Sequence, residues 1–394
     1  MKFLSDLNLS GRRVLVRADL NVPLSDDGQA IADDNRIRAF VPTLNFIIER
    51  GGKPVVISHF GSPAGKVDPK LSLRICAERL SQLADRLVKF IAQPLSDTAV
   101  SEVAALVDGE VALCENLRFD IGEESNSKEF ASRLARLGDC YVNDAFGTAH
   151  RAHASIVSLP KFFKEKAAGL LMQKEFEFYE RALLNPKRPL VVIIGGAKVS
   201  SKLGVLRNLA AKADRMLIGG AMANTFLAAQ GLQMGRSLYE PDLLPQALEI
   251  IAAMARRECK LYLPVDLVVA PDLTAKGLDR VVTAQDVPAD MMALDIGPAT
   301  CSLFKTALTN AETILWNGPM GAFEREPFDA GTLALTESIA ATSALKVAGG
   351  GDTDAAIHAM ELEHKFSFIS TGGGAFLEMI EGKTLPAVEA LGGI

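Results

Sequence analysis

The chain has 394 residues, of which 48% are hydrophobic and 23% charged, and a formal net charge of −6. That length exceeds what one hydrophobic core usually serves, so two domains are expected, and the composition is that of an ordinary globular protein. The acidic balance excludes a general electrostatic attraction to nucleic acid or to anionic membranes, so any bound anion must meet a local cluster of positive charge.

The opening MKFLSDLNLSGRR reaches Asp6 before any apolar run of signal-peptide length forms, and it reads as a mature terminus. Short β-branched runs then alternate with helical segments. They cover 13–17, 54–58 and 111–114 in the first half, then 190–194, 215–218, 260–263, 313–316, 346–348 and 366–369. Continuous apolar strands between helices predict parallel sheets covered on both faces, an α/β class. The longest strongly apolar stretch, Leu190 to Ala197, is far shorter than the ~20 residues that span a bilayer, so no membrane segment is expected. The five cysteines are odd in number, scattered and without a C-x-x-C pair, and they read as buried thiols of a reducing cytoplasm.

Between the two groups of strands, Met172, Phe176, Tyr179 and Leu183 form an apolar stripe at helical spacing, ended by Pro186. A connecting helix over 169–185 is therefore predicted, with one domain over 1–168 and another from 186 onward.

Many of the strands stop in glycine or polar residues: RADLNVP, SHFGSPAG, IIGGAK, LIGGA, WNGPMG, AGGGD and STGGG. In open α/β sheets ligands sit outside the carboxyl ends of strands, where these loops lie. The loops of the first half carry Arg17, Asp19, Asn21, Arg36, His59, Arg118 and Arg151. Guanidinium forks match carboxylate and phosphate oxygens, so together these residues suggest an anion site, although each arginine alone also reads as a solvated charge and Asp19 and Asn21 as turn residues. The second half has glycine clusters instead, among them Gly195, Gly196, Gly219, Gly220 and Gly349 to Gly351. Such loops let backbone N–H groups approach phosphates at helix N-termini, which suggests nucleotide binding.

Two nucleotide motifs are excluded. Gly61 to Val67 is one residue short of a Walker A loop and has valine where serine or threonine must hold magnesium. No G-x-G-x-x-G follows a strand, which disfavours a dehydrogenase. His150 and His153 lie three apart, but nothing completes a zinc site, and no nucleophile elbow is present. Asp352, just after three glycines, is the better metal candidate, since one carboxylate beside phosphates suits magnesium; alone it also reads as a helix cap.

Taken together, RADLNVP (17–23), DNRIRA (34–39), SHFGSP (58–63), ENLRF (115–119), VNDAFGTAHRAHAS (142–155), GGAKVSSK (195–202), GGAMANTF (219–226), DIGP (295–298), WNGPMGAFE (316–324), GGGDT (349–353) and STGGGAFLE (370–378) resemble the phosphoglycerate kinase family, in order and across nearly the whole chain. The resemblance implies two similar-sized α/β domains with six-stranded parallel sheets, a C-terminal domain over 186–372, and a segment 373–394 that returns to the N-terminal domain. It implies a cytoplasmic, monomeric glycolytic enzyme moving a phosphoryl group between 1,3-bisphosphoglycerate and ADP to give 3-phosphoglycerate and ATP, without nucleic-acid or membrane partners.

Carried onto matching positions, Asp19, Asn21, Arg36, His59, Arg118 and Arg151 would hold the glycerate, with Arg36 and Lys198 catalytic. Lys198 and Lys202 would serve the transferring phosphoryl group and the nucleotide phosphates, and Gly196, Ala197, Gly220, Gly350 and Gly351 would line the nucleotide site. Asn317, Gly318 and Pro319 resemble the nucleotide-contacting turn, Glu324 the ribose ligand, and Asp352 with Thr353 the contacts to Mg2+ and phosphate. A catalytically silent relative is the alternative; retention of Arg36, Lys198, Lys202 and Asp352 argues against it. Two departures stand out. Ser62 replaces the usual arginine of H-x-G-R-P, leaving Lys66 and Arg38 as nearby cations, and Ala221 replaces a frequent third glycine.

With glycerate and nucleotide residues in different domains, transfer is expected to require hinge bending at the connecting helix and after about residue 370. Solution scattering is expected to show a more compact particle with both substrates present, and an unchanged radius of gyration would count against hinge closure.

Overall fold

The computed structural model describes residues 1–274, 277 and 279–393, so positions 275, 276 and 278 of the 186–372 assignment and position 394 of the 373–394 assignment lie outside the described residues. Contacts divide the chain into two compact units, residues 1–176 with 384–394, and residues 177–383.

In the first unit, β1 (Arg13–Ala18), β2 (Lys53–Ile57), β3 (Val88–Ile91), β4 (Val111–Cys114), β5 (Cys140–Asp144) and β6 (Lys166–Ala168) form an all-parallel sheet in the order β3-β4-β2-β1-β5-β6. Val14 to Ala18 are all buried, as a strand covered on both faces requires. Three of these strands lack the expected apolar run. β3 carries Lys89, β6 is three residues long, and β5 (CYVND) ends in Asn143 and Asp144.

In the second unit, β7 (Leu190–Ile194), β8 (Arg215–Ile218), β9 (Lys260–Tyr262), β13 (Thr313–Asn317), β14 (Leu345–Gly349) and β15 (Phe368–Ser370) form a parallel sheet in the order β15-β14-β13-β7-β8-β9. A small antiparallel sheet, β11-β10-β12, adds β10 (Asp266–Ala270), β11 (Arg280–Thr283) and β12 (Met292–Ile296). The reading of parallel sheets alone did not include it, because β11 is mostly exposed and both β10 and β12 contain an aspartate. The Asp266 carboxylate accepts from the N–H groups of Ala299 at 2.9 Å and Thr300 at 2.7 Å, capping the helix Pro298–Ala307.

The segment after β6 is a helix over Leu170–Tyr179 continued by a π-helical stretch over Glu180–Leu184. It starts where it does because Asp144, the last residue of β5, accepts from Leu171 N at 2.9 Å and Met172 N at 3.2 Å. Met172, Phe176 and Leu183 of its stripe are buried, whereas Tyr179 is half-buried. The unit boundary falls inside this helix, at 176/177. The C-terminal stretch also divides later than 372/373. The helix Gly374–Ile380 stays with the second unit, where Asn208 Nδ2 donates to Ile380 O at 2.6 Å, and only 384–394 joins the first, with Ala387 N donating to Ala149 O at 3.0 Å.

Candidate active site

Each parallel sheet has one place where neighbouring strands send their connections away from each other. In the first it lies between β1 and β5, in the second between β7 and β13. A crevice opens at the carboxyl ends of such strands, and the chemistry-bearing residues collect at both.

In the first unit Arg17 of β1 is fully buried, and His59 and Arg118 are 3% and 2% exposed. Arg17 Nε donates to Ser155 Oγ at 3.0 Å, its Nη1 to Ala18 O, and its Nη2 lies 3.1 Å from His59 Nδ1. Arg118 Nη1 donates to Gly61 O at 2.6 Å and reaches Ser62 Oγ at 3.4 Å, while its Nε lies 3.4 Å from Glu124 Oε1. Its Nη2 is buried with no hydrogen-bond partner among the described residues, and so is His153 Nδ1. Arg36 opens the helix Asn35–Glu49 and donates to Asp19 Oδ2 at 2.9 Å, with its side chain 40% exposed. Asp19 Oδ1 accepts from Asn21 N at 3.2 Å, and Asn21 Oδ1 accepts from Gly61 N at 2.8 Å, so the turn after β1 is tied to the turn after β2. Arg151 is exposed, yet its charge is felt at His59, Arg118 and His153.

Burial and then the charges of Arg17, Arg118, Arg151 and Arg36 hold the His59 imidazole well below its ordinary pKa of 6.5. His153, half-buried among the same arginines and near His150, is pushed down to about 4. Both rings are therefore neutral at physiological pH. Of the cations near Ser62, Arg38 is taken by Asp34 at 2.6 Å, which also binds Arg79 at 2.6 Å. Lys66 is exposed.

In the second unit the loops after β7, β8, β13 and β14 meet. Gly195 N donates to Asn317 O at 2.9 Å, Gly220 N to Met320 O at 2.8 Å and Met222 N to Gly196 O at 2.9 Å. A Cβ on Gly195 would lie 1.9 Å from Pro319 O, and one on Gly318, at φ +99, would lie 2.3 Å from Gly195 O. Those two glycines let backbone pack on backbone. Gly351, by contrast, faces open space, and near Gly196 only the flexible end of Lys202 comes within 4 Å. Lys202 Nζ donates to Gly195 O at 2.7 Å, and burial pulls its ammonium down to about 8, opposed by Asp352. Thr353 Oγ1 accepts from Gly318 N at 2.7 Å and Asn317 Nδ2 donates to Gly349 O at 2.5 Å; Asn317 Oδ1 is buried without a partner among the described residues.

These loops border a cavity of about 290 Å³. Gly196, Ala197, Gly220, Pro319, Glu324 and Asp352 all line it, and the helices Ala221–Ala229 and Gly351–Ala359 begin at its edge with Gly220 and Gly350 as their caps. Ala221 also lines it, so its methyl group is part of the wall. Lys198 is exposed, in the turn whose Ser200 donates N–H and O–H to Glu240 at 3.0 and 2.5 Å.

The opposite wall is apolar and was not expected. Leu267 of β10 and Met292 and Leu294 of β12 supply it, together with Leu238 and Leu273, which remain 46% and 39% exposed. Its only sequence signal is the DIGP segment, whose Asp295 and Ile296 also line the cavity. Asp295 is buried and pushed up to about 7 by that burial, while Gly331 N donates to it at 2.7 Å. Arg17 was noted among the loop arginines but given no role; its partner Ser155 closes the 142–155 segment without having been singled out, and Glu123 lies in none of the quoted segments.

A family model described as phosphoglycerate kinase matches residues 4–383. The phosphoglycerate kinase of Syntrophobacter fumaroxidans is 48% identical over 391 residues, covering 99% of this chain and 98% of the relative, and that of Desulfotalea psychrophila is 49% identical, covering 99% and 100%. Among solved structures, phosphoglycerate kinase from Coxiella burnetii aligns with a TM-score of 0.91 at 41% identity over 98% of both chains. The Pyrococcus horikoshii enzyme aligns with a TM-score of 0.83 at 33% identity, covering 99% of this chain and 98% of that one.

The depressed histidines give a signed pH prediction. The unfolded chain protonates His59 and His153 near 6.5 and the folded chain only much lower, so their contribution to stability is complete above about 6.5 and is lost as pH falls towards about 4. In NMR titrations the His59 ring signals are expected to show no protonation step near 6.5, and those of His153 to step near 4; an ordinary midpoint for His59 would contradict the buried cationic setting.

Proposed function

Because this chain belongs to the phosphoglycerate kinase family, it is a phosphotransferase acting reversibly between 1,3-bisphosphoglycerate with ADP and 3-phosphoglycerate with ATP, and we propose that the arginine cluster of the first unit holds the glycerate and the glycine-walled cavity of the second holds the nucleotide. One observation carries the glycerate assignment. Arg118 is 2% exposed, has a buried donor without a partner among the described residues, and sits among other cations. A desolvated guanidinium in that position is costly unless an anion completes it. Asp19, Asn21, Arg36, His59, Arg118 and Arg151 are the proposed ligands.

For the nucleotide, Gly196, Ala197, Lys198, Lys202, Gly220, Asn317, Gly318, Pro319, Glu324, Gly350, Gly351, Asp352 and Thr353 are the proposed contacts. Two helix N-termini at the cavity, and Lys202 beside Gly196 of its lining, favour phosphate oxygens, and the apolar wall suits the flat face of a base. Asp352 lies in the first turn of its helix, exposed and beside the cavity, and a lone carboxylate with phosphate oxygens suits Mg2+. Asp352 would hold that ion, which would neutralise phosphate charge.

The acceptor is a carboxylate with an ordinary pKa near ~4, already ionised at neutral pH, so the protein needs no general base. What it must supply is alignment and compensation of charge on the transferring group. Arg36, held by Asp19 yet partly exposed, and the exposed Lys198 are suited to that task. We further propose a cytoplasmic monomer. The thiols, of which Cys76 and Cys114 are pushed up to about 12 by burial, agree with a reducing compartment, and among the described residues no helix is long and apolar enough to cross a membrane.

In a coupled assay with 3-phosphoglycerate and ATP the protein is expected to turn over; no turnover would overturn the reading. Arg36→Ala and Lys198→Ala should each lower kcat by roughly 10²–10³-fold with a much smaller change in KM, as loss of a transition-state contact does. Near-normal kcat in either would remove its catalytic role. Lys202 is charged below about 8, so affinity of the free enzyme for ATP is expected to fall as pH rises through that value, and the fall should move upward in Lys202→Arg. A flat profile in the parent would exclude Lys202 from phosphate binding.

A further inference from the structure

Beneath the proposed glycerate ligands runs a chain of hydrogen bonds from Glu123 through Ser155 and Arg17 to His59. The first three are fully buried and His59 is 3% exposed. Ser155 Oγ lies 2.5 Å from Glu123 Oε1, and Ser155 N donates to Glu123 Oε2 at 2.9 Å. Arg17 Nε donates to Ser155 Oγ at 3.0 Å, and Arg17 Nη2 lies 3.1 Å from His59 Nδ1. Tyr141 Oη donates to Ser155 O at 2.7 Å and fixes the serine backbone.

A guanidinium has only donors, so Ser155 Oγ accepts from Arg17. The Ser155 hydroxyl in turn donates to Glu123 Oε1 at 2.5 Å. Both Glu123 oxygens therefore accept, which is the arrangement of a carboxylate. At the other end His59 Nδ1 must also accept from Arg17, so the neutral ring carries its proton on Nε2. Burial pushes the Glu123 carboxyl up, while Arg17, both Ser155 donors and Arg118 act to keep it ionised.

We propose that Glu123 is a positioning residue for the glycerate site: through Ser155 it orients Arg17, and through Arg17 it fixes the Nε2–H tautomer of His59. The site then offers an uncharged donor beside its guanidinium groups. A plain counter-ion to Arg17 would also offset charge, but it would leave the tautomer of His59 unset. The proposal rests on the reading of this cluster as the glycerate site.

Glu123→Gln keeps the shape but removes the charge and sets an NH2 group either against Ser155 N–H, another donor, or against Ser155 Oγ, whose O–H must then turn away. In the ligand-free variant the nitrogen shifts of His59 are expected to lose the Nε2–H pattern seen in the parent. KM for 3-phosphoglycerate should rise roughly tenfold, the scale of one disrupted buried charged hydrogen bond, with KM for ATP unchanged. Ser155→Ala should act in the same direction, and Ser155→Thr, which keeps the hydroxyl, should restore both readouts. If Glu123→Gln does not fold, Ser155→Ala decides. Unchanged His59 shifts overturn the proposal, as does a parallel rise in both KM values accompanied only by a lower Tm. Failure of the glycerate assignment is read separately, as His59 signals of the parent that do not move when 3-phosphoglycerate is added.

Discussion

The second unit depends on one close approach, the turn after β7 lying directly against the turn after β13. Gly195 and Gly318 permit it, since a Cβ on Gly195 would sit 1.9 Å from Pro319 O. Lys202 is then anchored on Gly195 O and Thr353 on Gly318 N, so both the buried ammonium and the first turn of the helix carrying Asp352 take their places from this contact. The glycine clusters thus divide by purpose. Gly195 and Gly318 serve backbone packing, whereas Gly351 has open space where a Cβ would be. Counting glycines in the loops cannot separate the two uses, because they alternate along the same motifs.

The first unit is organised by charge. Arg17 and Arg118 are taken out of water, where a cation interacts more strongly with a bound anion and repels its neighbours more strongly as well. Two devices limit the repulsion. His59 and His153 stay neutral, and Glu123 places a carboxylate against Arg17 from the side of the core. Asp19 does the same for Arg36 at 2.9 Å. These pairings leave Arg118 Nη2 without a partner among the described residues, so the unmet demand for negative charge is concentrated at one group.

What the sequence makes legible follows burial on both faces. β1, β2, β4 and β7 read directly, since a strand covered on both sides needs an unbroken apolar run. β5 pairs with a strand on either side and escapes that test because its last residues, Asn143 and Asp144, bond the chain that follows: Asn143 Oδ1 accepts from Ala145 N and Asp144 caps the helix after β6. β10 and β12 are hidden for a similar reason, through Asp266 and Asp295. The loop arginines and glycines were visible because they stand at strand ends. Glu123 and Ser155 are 32 residues apart and meet only through folding, so no local spacing signals them.

Ser62, where the family resemblance leads one to expect arginine, fits this electrostatic account. Arg38 is committed to Asp34, which also holds Arg79, so moving it would break an existing network, and Lys66 is exposed in the turn beyond. Arg118 instead donates to Gly61 O at 2.6 Å and reaches the Ser62 hydroxyl at 3.4 Å, so the backbone and a neutral side chain occupy the position of the expected charge. Another guanidinium there would lie beside Arg118, whose own pKa is already lowered by burial and by Arg151. The cluster therefore carries less self-repulsion than it would with another guanidinium beside Arg118.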